Sequence, residues 1–420
     1  HPHDDEGAHA HPHDDEGAHA HPHDDEGAHA HPHDDEGAHA HPHDDEGAHA
    51  HPHDDEGAHA HPHDDEGAHA HGPGTHTHAR AAAAQERVAG LTAPKGTLRE
   101  QVEEAMEAHD FQRSLRLLAE LRRAEPNDLW ARLMLSDALV ESGRLEAAER
   151  ELQVVLDRKP CAAAYLRAGY LLHLRGETAA GIEVLELALE ASGTTKVRAW
   201  AHAELGDLLW TTGRIEEAGA HYRAARELDP ALGRAAVGAA RVLAAQGELA
   251  AAAQLLAPVA STPEHLSELA FWEGALGHTS QRREHLRRAR RMSKEDAYHW
   301  GRQSAVALAD HDAGSEWGLR LARQELKRRA NHQGWDALAW ALLAAGHPHE
   351  AYRASRRALA FGTQEPLLHY HAAVIAEANA RADEASDHYS QALALNDRFH
   401  HTFAKRARAR LTTLRGAAAR

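Results

Sequence analysis

The stretch AWAHAELGDLLWTTGRIEEAGAHYRAARELDP, residues 199–230, decides the fold. Leu205, Leu208, Leu209 and Trp210 recur at helical spacing and define one face of a first helix. Gly213 interrupts the pattern, as glycine is a poor helix former and a ready turn residue. Ile215, Ala218, Tyr222 and Ala225 then line a second helix, which ends at Pro230 because proline has no N–H to continue the ladder. The unit reads as helix, short turn, helix. Its apolar face needs a neighbouring unit to cover it.

The same arrangement recurs on either side. Aligning the turn glycines gives units starting near 95, 129, 162, 199, 233, 263, 298, 332 and 366. The second unit carries Gly143, Ala148 and Pro160, and the third Gly169, Gly176, Gly181 and Ala188. The fifth has Gly247 and Ala252; the eighth Trp335, Leu338, Ala339, Gly346, Ala351 and Ala358; the ninth Ala373, Ala385, Tyr389 and Ala392. Small residues at facing positions let two helices approach closely, while large apolar neighbours fill the gaps. The seventh unit, 298–331, lacks a clear turn glycine and the fifth meets Pro258 early, so irregular hairpins are expected at both.

With Gly206, Ala218, Ala225 and Pro230 at positions 8, 20, 27 and 32 of the unit, the pattern resembles the tetratricopeptide repeat. The resemblance implies an all-α fold: a right-handed superhelix of about nine hairpins over residues 95–398. Residues 399–420 (FHHTFAKRARARLTTLRGAAAR) read as a basic capping helix that covers the last apolar face. It also implies a concave groove, formed by the first helices, that takes an extended peptide or the surface of a partner protein. The groove residues expected on that basis are Trp130, Arg167, Tyr170, His202, Asp207, Trp210, Arg241, Trp272 and Tyr370, with His173, Trp340 and His371 beside them. Trp, Tyr and Arg are the side chains that interfaces enrich. For a single Trp, ordinary helix packing is the plainer alternative. The Lys/Asn clamp that some members use for a terminal carboxylate is not evident.

A second, shorter period occupies the start of the chain. Residues 1–70 are seven identical copies of HPHDDEGAHA, holding 21 His and 21 acidic residues and no Lys or Arg. The formal charge of −19 therefore belongs to this segment; the remaining 44 acidic and 46 basic residues leave positions 71–420 at +2. That balance excludes a uniformly acidic globular protein and a polybasic nucleic-acid binder. The copies contain no Leu, Ile, Val, Phe, Trp, Tyr or Met, so burial cannot offset the entropy of ordering them. Pro and Gly in each copy also oppose helix and strand. The segment 1–78 reads as a disordered tail, followed by a linker at 79–94.

Across the junctions, the copies give HAHPHDDE six times, starting at His9, His19, His29, His39, His49 and His59. Each string places three imidazoles at i, i+2 and i+4 and follows them with three carboxylates, a ligand set suited to a borderline divalent metal. The candidate ligands are His1, His3, His9, His11, His13, Asp14, Asp15, His19, His21, His23, His29, His31 and His33. They continue through His39, His41, His43, His49, His51, His53, His59, His61, His63, His69, His71, His76 and His78. At roughly three to four ligands per ion, the tail holds about six to eight exchangeable ions. Zinc is the first expectation, with copper and nickel as alternatives. A solvated spacer that binds metal only as a His tag does is the competing reading.

Cys161 is the one cysteine, which excludes an internal disulfide framework and a thiolate metal cluster. No run of 18 apolar residues spans a membrane. No HExxH, GxSxG, phosphate-binding glycine loop or dinucleotide fingerprint occurs, so catalysis is not expected. Basic runs at 287–291 (RRARR) and 327–330 (KRRA) are expected on exposed second-helix faces, either solvated or meeting an acidic partner, the tail included. The HPHE at 347–350 repeats the tail's His-Pro-His at a turn and is a candidate secondary metal contact. A start at His1 fits removal of a signal peptide after a small-x-small site or a fragment beginning there. The expectation is a non-catalytic adaptor, exported to a bacterial periplasm or cell envelope with the cytoplasm as the alternative. It carries divalent metal on its tail and a protein or peptide partner in its groove, without nucleic acid.

Overall fold

The computed structural model describes residues 96–311 and 315–418. The tail at 1–78 and the linker at 79–94, with every candidate metal ligand in them, lie outside the described residues. Among the described residues, all regular structure is helical: nineteen α-helices and one short 3-10 turn. Eighteen helices pair into nine hairpins. These are α1 (Leu98–Glu107) with α2 (Phe111–Ala124), α3 (Leu129–Glu141) with α4 (Leu145–Arg158), and α5 (Ala162–Leu174) with α6 (Thr178–Glu190). Next come α7 (Thr195–Thr211) with α8 (Ile215–Leu228), α9 (Gly233–Ala245) with α10 (Leu249–Leu256), and α11 (Pro263–Ala275) with α12 (Thr279–Glu295). The last three are α13 (Gly301–Asp310) with α14 (Ser315–Leu326), α15 (His332–Ala344) with α16 (Pro348–Leu359), and α17 (Pro366–Ala378) with α18 (Ala382–Leu395). A final helix, α19 (Phe403–Ala418), packs on α18.

Local chemistry starts and stops these helices. Asp128, Thr194, Thr262 and Asn331 cap α3, α7, α11 and α15, each side chain accepting the N–H of a residue in the first turn. At the turn of the fourth hairpin Gly213 has φ +73°, the left-handed region that costs glycine nothing. The equivalent place in the ninth hairpin is held by Ala380 at φ +56°. The irregularity of the fifth unit follows from its sequence. α10 stops after eight residues and tightens into a 3-10 turn, Ala257–Val259, around Pro258. The seventh hairpin has a first helix of ten residues, as the first hairpin does, and residues 312–314 of its turn lie outside the described residues.

Packing within the repeat is set by the small residues. The Tyr222 ring lies between α7 and α9: a Cβ added at Gly206 would meet it at 2.6 Å, and one at Gly238 at 2.2 Å. Tyr222 is 1 % exposed, so neither helix has room for another methyl group. At the far end Phe403, Ala404 and Ala407 of α19 close the core over Tyr370 and Tyr389, as a cap must.

Helical repeats of this kind usually touch only their neighbours. Here the turns of the second, third and fourth hairpins also rest on the loops that follow the seventh, eighth and ninth. A Cβ at Gly143 would meet the Ala330 carbonyl at 2.5 Å, at Gly176 the Gly362 carbonyl at 2.6 Å, and at Gly213 the Leu395 carbonyl at 2.9 Å. Side chains stitch the same seam. Asn331 donates to Glu141, Thr363 to the Leu174 carbonyl and Asn396 to the Trp210 carbonyl, at 3.2, 2.7 and 2.7 Å. The superhelix thus meets itself after five units.

This seam corrects the reading of the basic run at 327–330. Arg329 does not lie on a solvated face; it is 5 % exposed, between Glu325 at 3.3 Å and Glu141 of the second hairpin at 3.8 Å. Arg328 bonds Glu325 at 2.5 Å and lies over the Tyr298 ring. The other run, 287–291, is exposed on α12 apart from Ala289, and Arg287 bonds Glu284 of its own helix.

Candidate binding cavity

Because the first helices of the third to ninth hairpins turn inward, their inner faces line a cavity of about 280 Å³. α5, α7, α9, α11, α13, α15 and α17 contribute to its wall, and Phe399, His400 and Phe403 close it beside the cap. Carboxylates outnumber guanidinium groups among the lining residues, seven to three.

Most of these charges are spent on one another. Arg234 bonds Glu204 and Asp207, each at 2.5 Å, and stacks over Trp200. Arg241 bonds Glu268 at 2.7 Å and Glu264 at 3.1 Å. Glu365 lies 3.5 Å from His173 and 3.4 Å from His332; burial alone would raise its carboxyl, but hydrogen bonds from the two imidazoles hold it well below the usual carboxylate range. His371 stacks on Trp340 at 4.1 Å and bonds Asp336 at 2.9 Å.

Asp310 shows the cost of burial in that wall. Burial pushes its carboxyl up to about 6, against the opposing pull of His371, Trp340 and Ser267. His400 stacks on Phe403 at 4.1 Å, and burial pushes its protonation down to about 3. Some polar atoms of the wall remain without a protein partner: Glu268 Oε2, Asp336 Oδ1, His371 Nε2, Arg302 Nε and Gln303 Nε2. Buried groups of this kind are normally met by water or a ligand. Glu268 Oε2 and Asp336 Oδ1 are acceptors and Arg302 Nε and Gln303 Nε2 donors, so the wall offers both halves of a hydrogen bond.

The residues expected in the groove divide. Tyr170, Asp207, Trp210 and Arg241 line the cavity, with His173 and His371. Arg167 is sealed in a two-bond pair with Asp137 at 2.9 and 2.7 Å, 3 % exposed. Trp272, 2 % exposed, packs in the core of the fifth and sixth hairpins, and Tyr370 belongs to the aromatic cluster under the cap. Trp130 is core on one side; on the other it lines a separate cavity of about 730 Å³ with Arg99, Asp128, Lys159 and Cys161. His202 faces His221 of its own hairpin rather than the cavity. The HPHE turn leaves His349 exposed and His347 3.6 Å from Glu350. Among the described residues, no group of three or more ligating side chains converges there or elsewhere.

Several cavity residues had no sequence signal: Glu204, Arg234, Glu264, Glu268, Asp310, Asp336 and Glu365. Each is an ordinary polar residue on a first helix, or in the case of Glu365 just before one, and only the curvature of the stack shows that it turns inward. A charged residue at a position where the repeat wants a small or apolar one is the nearest available signal.

The fold and cavity define a helical-hairpin solenoid with an inward-facing polar wall. More closely, residues 105–170 and 201–262 each match a tetratricopeptide-repeat model, so repeats of that kind are present in both stretches. No curated protein matches the chain in sequence. Among solved structures it is similar to the APC/C hetero-tetramer Cut9–Hcn1, at 16 % identity over 79 % of this chain and 58 % of that one, TM-score 0.35. The chain thus spans little more than half the length of that relative. It is also similar to the tetratricopeptide domain of P58(IPK), at 16 % identity over 76 % of this chain and 98 % of that one, TM-score 0.25. A third is the human IFIT1 dimer with PPP-AAAA, at 17 % identity over 66 % of each chain, TM-score 0.41. Among the described residues no helix is long and apolar enough to cross a membrane. Tetratricopeptide repeats serve as scaffolds for protein partners.

Proposed function

We propose that this chain is a non-catalytic tetratricopeptide adaptor whose His-rich repeats hold divalent transition metal while the hairpin stack engages a protein partner. The observation that carries the reading is the string HAHPHDDE, present six times, with three imidazoles and three carboxylates inside eight residues. Imidazole is mostly neutral at pH 7, so its lone pairs are available, and the neighbouring carboxylates attract the cation. Without thiolates, the bound ions exchange readily, which suits buffering or delivery rather than a permanent structural site. The polar cavity, whose wall offers both donors and acceptors, supports contact with a polar partner segment.

Calorimetric titration with Zn²⁺, Ni²⁺ and Cu²⁺ tests the metal role, on the full chain and on a chain beginning at Gly96, at pH 7.5 and 5.5. Several ions bound at micromolar affinity or tighter, lost on truncation and at the lower pH, are the expected result. Protonated imidazole is no ligand, so the pH arm follows directly. Affinity no tighter than that of a generic His tag would reduce the tail to a solubilising spacer. The chain would then be a protein scaffold alone.

A further inference from the structure

Two hairpins carry the same arrangement of imidazoles. In the fourth, Nδ1 of His202 on α7 lies 3.0 Å from Nδ1 of His221 on α8. In the ninth, Nδ1 of His369 on α17 lies 3.1 Å from Nδ1 of His388 on α18. Each pair is separated by nineteen residues. Each second histidine follows a glutamate by one helical turn, Glu217 before His221 and Glu384 before His388. Both of those second rings feel carboxylate charge, from Glu186 and Glu217 in one case and from Glu384 and Asp387 in the other. Ring centroids stand 5.1 and 5.3 Å apart, so the rings meet at their nitrogen edges rather than stacking face to face.

We propose that His202–His221 and His369–His388 are two chelating sites for a divalent transition metal such as Ni²⁺. Proximity is the reason. Two imidazoles from the paired helices of one hairpin, their Nδ1 atoms 3.0–3.1 Å apart, need only a turn of the rings to share one ion at metal–nitrogen bonds of about 2.0–2.1 Å.

In the free protein one ring of each pair donates its Nδ1–H to the other. Metal binding moves that proton to Nε2 of the donating ring and turns both lone pairs onto the ion. Among the described residues no third ligating side chain converges, so water completes the shell. Arg214 holds Glu217 at 2.8 and 2.6 Å, and Tyr352 bonds Glu384 at 3.0 and 3.1 Å, which places both carboxylates as nearby charges rather than ligands.

These sites are independent of the tail, and one measurement separates the two. A tail string carries all its ligands within eight residues, so it binds folded and unfolded chain alike and leaves the melting temperature nearly unmoved. The hairpin pairs are brought together only by folding. Full-length protein melted in about 1 mM NiCl₂ is therefore expected to gain about 2–4 °C over the same protein in EDTA. The double variant His221→Gln/His388→Gln loses the gain, and each single variant keeps about half of it. A second double variant, His202→Gln/His388→Gln, gives the same loss if chelation is the cause, whatever either pair of substitutions does to the melt in EDTA. No gain in the parent, or a gain that survives in both double variants, overturns the proposal.

Discussion

Asn396 donates its side-chain amide to the main-chain carbonyl of Trp210 at 2.7 Å, across 186 residues of chain. It joins the loop after the ninth hairpin to the first helix of the fourth. Asn396 is 1 % exposed, and the Leu395 carbonyl beside it fits against Gly213 only because that turn has no Cβ. Contacts of this kind couple units that a simple solenoid would leave independent.

Asn396→Ala removes the cross-seam donor while the Trp210 carbonyl keeps the Gly213 N–H at 3.1 Å, so the loss is that of one hydrogen bond, about 0.5–1.5 kcal/mol. Urea denaturation measures the loss. Hydrogen exchange locates it: amides of α7 and of α18 are both expected to exchange faster, although five units separate them. A change confined to the ninth hairpin would show that the seam does not couple the two.

Arg167 and Asp137 are paired by two hydrogen bonds at 2.9 and 2.7 Å, 3 % and 4 % exposed. Asp137→Ala leaves a buried guanidinium without its counter-charge, and such losses cost about 3–5 kcal/mol. Arg167 is therefore a packing residue of the second and third hairpins. Its substitution is expected to lower stability in thermal melts, with partner affinity unchanged in the fraction that remains folded.

The repeat was legible because its signals are local. First helices begin at 98, 129, 162, 195, 233, 263, 301, 332 and 366, within four residues of the starts read from the turn glycines. The shortening of α10 ahead of Pro258 followed from one residue without an N–H. The closure of the superhelix was not legible. Arg329 meets Glu141, and Glu365 meets His173, across about half of the chain, through a pitch that accumulates from many small rotations between hairpins. Those rotations also decide which first-helix residues face inward. That is why Trp210 lines the cavity while Trp272, on a first helix too, fills the core.

Acid is expected to destabilise the stack well above carboxylate pH. Burial pushes the protonation of His265, His369 and His400 down to about 4, about 4 and about 3, whereas the unfolded chain protonates them near 6.5. Below 6.5 the unfolded state binds more protons, so stability falls as pH drops toward about 4. Asp310 works the other way: burial raises it to about 6 from 3.8, and the stability linked to its protonated form is lost as pH rises through that window. Glu268 is raised by burial as well, but burial also lowers His202, His221, His285, His388 and His401. The imidazoles prevail and give a net loss between pH 7 and pH 5, measurable by urea denaturation at each pH. His400→Asn keeps a side-chain acceptor for the Thr402 and Phe403 N–H groups while removing the proton site, and is expected to flatten that slope.

Ala380 and Gly213 occupy the same turn of the ninth and fourth hairpins, at φ +56° and +73°. An L-residue in that region carries a clash between its Cβ and the backbone of about 1–2 kcal/mol. Ala380→Gly removes the clash but adds unfolded-state entropy of about 0.4–1 kcal/mol. The expected net is a gain below about 1 kcal/mol, read as a small rise in the urea midpoint. The reverse exchange is asymmetric. Gly213→Ala acquires the backbone clash and also drives a Cβ to 2.9 Å from the Leu395 carbonyl, so it loosens the turn and the seam together. Its loss is expected to exceed the gain at Ala380, and to shrink when Asn396→Ala has already opened the seam. A double-mutant cycle between Gly213→Ala and Asn396→Ala reads that coupling; strict additivity would show that the turn and the loop do not press on one another.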